Sequence, residues 1–329
     1  MKKICLGLSL IVMLSGVLAG CGGAREAAAP ETSGTASTAS SDSAGEEKAT
    51  RTIQYLDNTY TIPADPQTIV ITGSMESMED SLVLDVKPAG AISVGGAFPE
   101  MFASITSEAK SVGEKMQPNM EAILAMKPDV ILGSSKFPPE VTEKLGKIAT
   151  TFPVSHISTN WEANLLLLGE LTGKQKEAEQ IINDYKTEAA AAKEQLGEQL
   201  KEKKVVVVRI REGNLYIYPE TVFFNPVLYA DLGLTAPAEV KAAKAQENIS
   251  LEKFSEMDPD YLFVQFSPDE NRDNPQALED LQNNPIWQSL KAVKNGKVFV
   301  NVVDPLAQGG TAWSKVRFLK AAVEKLSAE

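Results

Sequence analysis

Histidine occurs once in the 329 residues, at His156, and cysteine only twice, at Cys5 and Cys21. A zinc or manganese site built from imidazoles has too few donors in such a chain. With no nucleophile–histidine arrangement in sight, His156 reads as a loop or sheet-edge residue. HExxH, GxSxG and Walker loops are absent, and the pairs Gly95-Gly96 and Gly309-Gly310 lack a dinucleotide pattern. Carboxylates are plentiful, but no spacing singles out a pair for acid/base work. Beyond residue 20 no apolar run is long enough to cross a bilayer. Basic residues are outnumbered, 32 Lys+Arg against 44 Asp+Glu, for a net charge of −12. That balance argues against nucleic acid and against lying flat on anionic lipid. It also means that a local cluster of cations needs a reason.

What is present begins with a leader. Lys2-Lys3 precede an apolar run from Ile4 to Leu18, the pattern of a secretory signal over residues 1–20. Leu18-Ala19-Gly20-Cys21 resembles the lipobox of bacterial lipoproteins, which implies cleavage before Cys21 and acylation of its thiol and new amino group. Cys5 leaves with the leader, so no pair remains for an intramolecular disulfide. Residues 21–50, rich in Ala, Ser, Thr, Gly and Glu, read as a flexible tether. The expected location is the extracytoplasmic face of the cell membrane, lipid-anchored through Cys21.

Lys174 to Lys201 contains no Pro and one Gly. Ala178, Ile181, Ile182, Tyr185, Ala189, Ala192, Leu196 and Leu200 recur at steps of three and four, one stripe of a long helix. On either side stand two similar stretches. Met120-Glu-Ala-Ile-Leu-Ala-Met-Lys-Pro-Asp-Val-Ile-Leu132 matches Leu251-Glu-Lys-Phe-Ser-Glu-Met-Asp-Pro-Asp-Tyr-Leu-Phe263. Each reads as a short helix, a Pro-Asp turn and a buried strand. The expected fold is α/β, two Rossmann-like lobes with mostly parallel central sheets joined by one long helix. The expected organisation is a lobe over 51–168, a linking helix over 169–203 and a second lobe over 204–329.

Strands are predicted at Pro66–Ile71, Pro88–Ile92, Val130–Leu132, Thr151–Val154, Lys204–Arg211, Tyr261–Gln265 and Val298–Val302, with a hairpin turning at Asp57-Asn58. Helices are predicted at Ser74–Leu84, Glu121–Met126, Asn225–Leu232, Asn284–Leu290 and Ala312–Leu326. Ligands of parallel sheets sit beyond the carboxyl ends of the strands, and cations collect there. Arg209 and Arg211 are two apart and leave the same face of their strand. Lys136 follows strand Val130–Leu132, and Lys115 lies in the loop entering the repeated helix. Each alone reads equally as an ordinary solvated charge. Together, facing one cleft of an acidic protein, they favour an anionic ligand. Glu121 and Glu252 open the two repeated helices. There they either favour the helix dipole or dock a two-fold partner carrying Arg sockets.

The runs Arg209-Ile-Arg-Glu-Gly-Asn-Leu-Tyr-Ile-Tyr-Pro219 and Val303-Asp-Pro-Leu-Ala-Gln-Gly-Gly-Thr-Ala-Trp-Ser-Lys-Val-Arg317 are long and unusual. With the repeated helices, they make the chain from Leu56 onward resemble the substrate-binding lipoproteins of iron–siderophore ABC importers. The resemblance implies a basic triad, Lys115, Lys136 and Arg211, for a ferric catecholate siderophore, with supporting contacts from Arg209, Lys244 and Gln246. It implies permease docking through Glu121 and Glu252, a monomeric protein, an ABC permease with its ATPase as partner, and no nucleic acid. Iron would travel inside the siderophore, so no protein metal ligand or catalytic residue is expected. A ferric tris-catecholate is a trianion spread over six oxygens, which three long cations neutralise without entering the coordination sphere. Because Lys and Arg are expected to stay charged, binding is expected to change little between pH 6 and 8. The alternatives are a hydroxamate siderophore, haem or cobalamin on the same fold, or an exported hydrolase of siderophore esters.

Overall fold

A computed structural model describes residues 49–327. The leader, Cys21 and nearly all of the expected tether lie outside the described residues. The chain opens with a hairpin, Thr50–Tyr55 paired to Asn58–Pro63. Tyr55 pairs with Asn58, so the turn is Leu56-Asp57, one residue earlier than Asp57-Asn58, with Leu56 at φ 49°.

The first sheet has six strands in the order Gln117–Pro118, Lys110–Glu114, Gly90–Ser93, Ile69–Ile71, Val130–Ser134, Thr150–Val154. All neighbours are parallel except the first pair. The second sheet has five, in the order Glu247–Asn248, Asn214–Ile217, Val205–Arg211, Tyr261–Phe266, Val298–Val300. Its last three strands are parallel and its first two antiparallel. Between the sheets in sequence runs the helix Gln175–Leu200, 26 residues and so roughly 40 Å long. Its buried stripe is Ala178, Ile182, Tyr185, Ala189, Ala192, Leu196 and Leu200; Ile181 is only half-buried.

The internal repeat extends to single hydrogen bonds. Asn119 Oδ1 caps helix Met120–Met126 by accepting from Ala122 N at 3.0 Å, and Ser250 Oγ caps Leu251–Met257 by accepting from Lys253 N at 3.3 Å. Both helices end on a left-handed residue, Lys127 at φ 48° and Asp258 at φ 45°. The aspartate after each proline then clamps the start of a neighbouring parallel strand. Asp129 Oδ2 accepts from Thr68 N and Asp129 N donates to Thr68 O, both at 2.9 Å. Asp260 Oδ2 accepts from Lys204 N and Asp260 N donates to Lys204 O, again at 2.9 Å. Each aspartate thereby closes a two-bond ring with the residue before the neighbouring strand.

The largest hydrophobic core runs through both halves, from Ile53 and Leu132 through Tyr185 and Leu196 to Phe263 and Leu326. The last helix, Ala312–Ser327, packs on the long helix and on Met75–Leu84 of the first half. Glu79, fully buried on that first-half helix, accepts from Gln308 N at 2.7 Å and from Thr311 Oγ1 and Ser314 Oγ at 2.5 Å. Burial nevertheless pushes its carboxyl up to about 7. The stretch Asn225–Leu232 is not a regular helix: Val227–Asp231 winds as a π-helix, with Leu232 N bonded five residues back to Val227 O at 2.9 Å. That wide turn sets Asp231 against Lys315 Nζ at 2.7 Å, with Tyr185 OH donating to the same carboxylate. Lys315 is 2% exposed and lies over the rings of Tyr185 and Trp161 at 4.9 and 5.5 Å. Three elements, one from the first half and two from the second, thus meet the long helix at one half-buried ion pair.

Candidate functional site

Four cations reach a single hollow at the carboxyl ends of the parallel strands, two from each half. Lys115 sits with Met116 in the two-residue turn joining Lys110–Glu114 to Gln117–Pro118. Gly113, at φ 100°, makes the turn possible: a Cβ there would lie 2.4 Å from Gln117 O. Lys136 follows strand Val130–Ser134, its backbone N donating to Ser134 Oγ at 3.2 Å. The next residue, Phe137, is buried against Gly73, where a Cβ would meet the ring at 2.1 Å. This contact fixes the loop that presents the lysine.

From the second half come Arg209 and Arg211, on the same face of strand Val205–Arg211. Arg209 is 5% exposed. Its Nε donates to Glu270 Oε2 at 2.8 Å, its Nη2 lies 2.8 Å from the same oxygen, and its guanidinium stands 5.3 Å over the Phe223 ring. Arg211 Nε lies 3.3 Å from Glu270 Oε1, while its Nη1 donates to Gln246 Oε1 at 2.9 Å, which also accepts from Tyr218 OH at 3.0 Å. Arg209 Nη2 and Arg211 Nε are buried without a well-aligned acceptor, a condition that buried donors seldom keep.

On the first-half side, Glu76 is 4% exposed and its Oε1 lies 3.8 Å from Lys136 Nζ. Lys115 Nζ donates to Gln308 Oε1 at 2.9 Å. Burial lowers the Lys115 amine to about 8; Glu76 opposes this, and Lys136 and Arg209 reinforce it. The expected flat range therefore holds below about 8 and ends there, at the upper edge of the pH 6 to 8 interval. The hollow holds four cations against two carboxylates, Glu76 and Glu270, and is net positive in an acidic protein.

Lys115, Lys136, Arg209, Arg211 and Gln246 line the hollow, but Lys244 does not: it is exposed, with its backbone N bonded to Glu247 Oε1 at 3.0 Å. Glu121 and Glu252 are exposed, each the second residue of its helix. The side-chain caps are Asn119 and Ser250, and the two glutamates stand in the first turn, where the helix dipole favours a carboxylate. Glu76, His156, Tyr218, Phe223, Glu270 and Gln308 also line the hollow, and sequence reasoning missed them as site residues. Only Tyr218 and Gln308 lay within the two unusual runs; the carboxylates had no distinguishing spacing among 44.

The chain is similar to the iron-uptake system-binding protein of Bacillus subtilis (strain 168), with 58% identity over 327 residues, covering 99% of each chain. It is 31% identical over 271 residues to the probable siderophore-binding lipoprotein YfiY of the same organism, covering 79% of this chain and 82% of that one. The fold is similar to the crystal structure of the triscatecholate siderophore binding protein FeuA from Bacillus subtilis complexed with ferri-bacillibactin. That match has a TM-score of 0.81 and 61% identity, covering 84% of this chain and 98% of FeuA. It is also similar to Staphylococcus aureus SirA complexed with staphyloferrin B, with a TM-score of 0.72 and 26% identity, covering 85% and 99%. Residues 85–301 match the periplasmic binding protein family, and the chain belongs to that family.

Proposed function

We propose that this protein is the substrate-binding component of an ABC importer. It captures a ferric catecholate siderophore of the bacillibactin or enterobactin type between its two halves and delivers it to a permease for iron uptake. The observation that carries this reading is the convergence of Lys115, Lys136, Arg209 and Arg211 on one hollow, with two guanidinium nitrogens still lacking a well-aligned acceptor. The catecholate oxygens of a trianion supply those acceptors. Ferric iron enters as cargo already wrapped in oxygen, so the cations hold the complex from outside and no chemical step is required. Ammonium and guanidinium groups also lie favourably on catechol faces, at about 0.5–2 kcal/mol per contact. The kinship with FeuA and its bound ferri-bacillibactin supports the ligand class.

In this reading 51–168 and 204–329 act as two lobes on the linking segment 169–203, and a rod of that length permits modest closure rather than a wide swing. Glu121 and Glu252, alike in place and exposure, are the contacts for a two-fold permease bearing cationic sockets. Acylated Cys21 and the segment 21–50 tether a monomer to the extracytoplasmic face of the membrane. The test is to incubate purified protein with ferric bacillibactin, desalt it, and record the visible spectrum. The catecholate-to-iron charge-transfer band should remain with the protein. Passage of all colour into the small-molecule fraction, with retention of a ferric hydroxamate instead, would overturn the ligand class.

A further inference from the structure

His156 and Ser135 stand on neighbouring loops, just beyond the carboxyl ends of the adjacent parallel strands Thr150–Val154 and Val130–Ser134. Ser135 Oγ lies 3.1 Å from the backbone N of His156 and 2.9 Å from its ring Nδ1. The backbone N–H can only donate, so the hydroxyl oxygen accepts it. Of the two directions open to the Oγ–Nδ1 bond, the one in which the hydroxyl donates uses both its proton and its oxygen, and we take that direction. A neutral ring held this way carries its proton on Nε2. The ring is neutral near pH 7: burial and then Lys136 lower its pKa, against a weaker pull from Glu76. Nε2 has no hydrogen-bond partner among the described residues, yet the residue lines the hollow. The charged groups sharing that hollow are Lys115, Lys136 and Glu76 on its own half and Arg209, Arg211 and Glu270 across from it.

Resting on the ligand reading above, we propose that His156 is a further ligand-binding residue: its Nε2–H donates to an oxygen of the bound tris-catecholate, with Ser135 as the positioning residue that fixes the tautomer. The ring then contributes direction where the lysines contribute charge. A proton on Nε2 and a hydroxyl on Nδ1 leave no lone pair for iron, so His156 meets the complex from outside its metal. Selectivity follows: an anionic oxygen facing the ring is favoured over an apolar rim.

Because His156 is the only histidine, its ring nitrogens can be followed by NMR in histidine-labelled, tag-free protein. Gallium(III) bacillibactin serves as the diamagnetic probe and ferric bacillibactin as the ligand for affinity. The free protein should show the Nε2–H tautomer, and saturation with the gallium complex should shift that resonance and slow its exchange with water. His156→Phe, which removes the donor, should weaken ferric bacillibactin binding by about tenfold, as for a hydrogen bond to a charged group. His156→Gln, which restores an N–H, should recover most of the loss. Ser135→Ala should mix the tautomers in the free protein. Unmoved ring resonances in a saturated complex, or equal affinities for wild type and His156→Phe, would overturn the contact alone. Absence of binding by the wild type in the same titration would overturn the ligand reading and this contact with it.

Discussion

Lys115 Nζ donates to Gln308 Oε1 at 2.9 Å across 193 residues of chain. The glutamine is held in place because its backbone N donates to buried Glu79 at 2.7 Å. Lys115 therefore meets a neutral acceptor from the opposite half in a half-buried site, and its amine falls to about 8, chiefly through burial. An entering trianion favours the protonated amine, so the bound form titrates at higher pH than the free form. Below about 8 the amine is already charged and affinity is level. As pH rises through and beyond that value, binding must take up a proton and weakens, by at most about tenfold per pH unit. Titrations of ferric bacillibactin between pH 6 and 9.5 check this, and Lys115→Met should abolish the slope.

The remaining cations differ in how much solvent screens them. The Lys136 side chain is 39% exposed and the Arg211 side chain 34%. A unit pair at 4 Å is worth about 4 kcal/mol at an effective dielectric near 20, before desolvation. Reversing a charge this exposed should therefore cost less than that figure suggests, about a hundredfold in affinity. Tryptophan quenching by ferric bacillibactin on Lys136→Glu and Arg211→Glu measures it, and the wild-type affinity should itself fall as salt is raised.

Glu270 makes a prediction of opposite sign for stability and for ligand response. It is the shared counter-ion of Arg209 and Arg211. Glu270→Ala leaves a buried guanidinium without its partner, a loss on the order of 3 kcal/mol and several degrees in Tm. The trianion then supplies the missing negative charge, so saturating ferric bacillibactin should raise Tm more in the variant than in wild type. Differential scanning calorimetry with and without ligand reads both effects.

Gly309-Gly310 serves close packing, Gly310 on Ser158 of the first half and Gly309 on Phe223 of its own half. At Gly310 a Cβ would lie 2.8 Å from Ser158 Cα, and at Gly309, with φ 81°, one would lie 2.5 Å from Phe223 C. Those neighbours are backbone atoms and cannot swing aside. Gly310→Ala should lower stability by roughly 1–3 kcal/mol, the usual cost of overpacking, in a denaturant titration followed by circular dichroism.

The parts of the fold that follow local rules could be read from the sequence. The stripe Ala178 to Leu200, the twin helix–Pro-Asp–strand units and the valine run of Val205–Val208 each depend on spacing or β-branching within one element. The shift of the hairpin turn to Leu56-Asp57 could not be read, because the backbone there places a leucine, not a residue suited to positive φ, in the left-handed region. Nor could the π-turn at Val227–Asp231, which tertiary contacts with Lys315 and Tyr185 select. In the hollow, strand-end cations stood out against an acidic background. Glu76, Glu270 and His156 did not, because their partners lie on other elements and only the folded chain brings them together.

The central claim is that opposed cations from both halves hold a triply negative complex. Its most direct test compares ferric bacillibactin with a neutral ferric hydroxamate such as ferrichrome, by fluorescence titration of wild type and of the combined Lys115→Met, Lys136→Met, Arg211→Met variant. Wild type should bind the catecholate tightly and the hydroxamate weakly, and the variant should lose the catecholate. A variant that keeps wild-type affinity for ferric bacillibactin, or a wild type that prefers ferrichrome, would contradict the account.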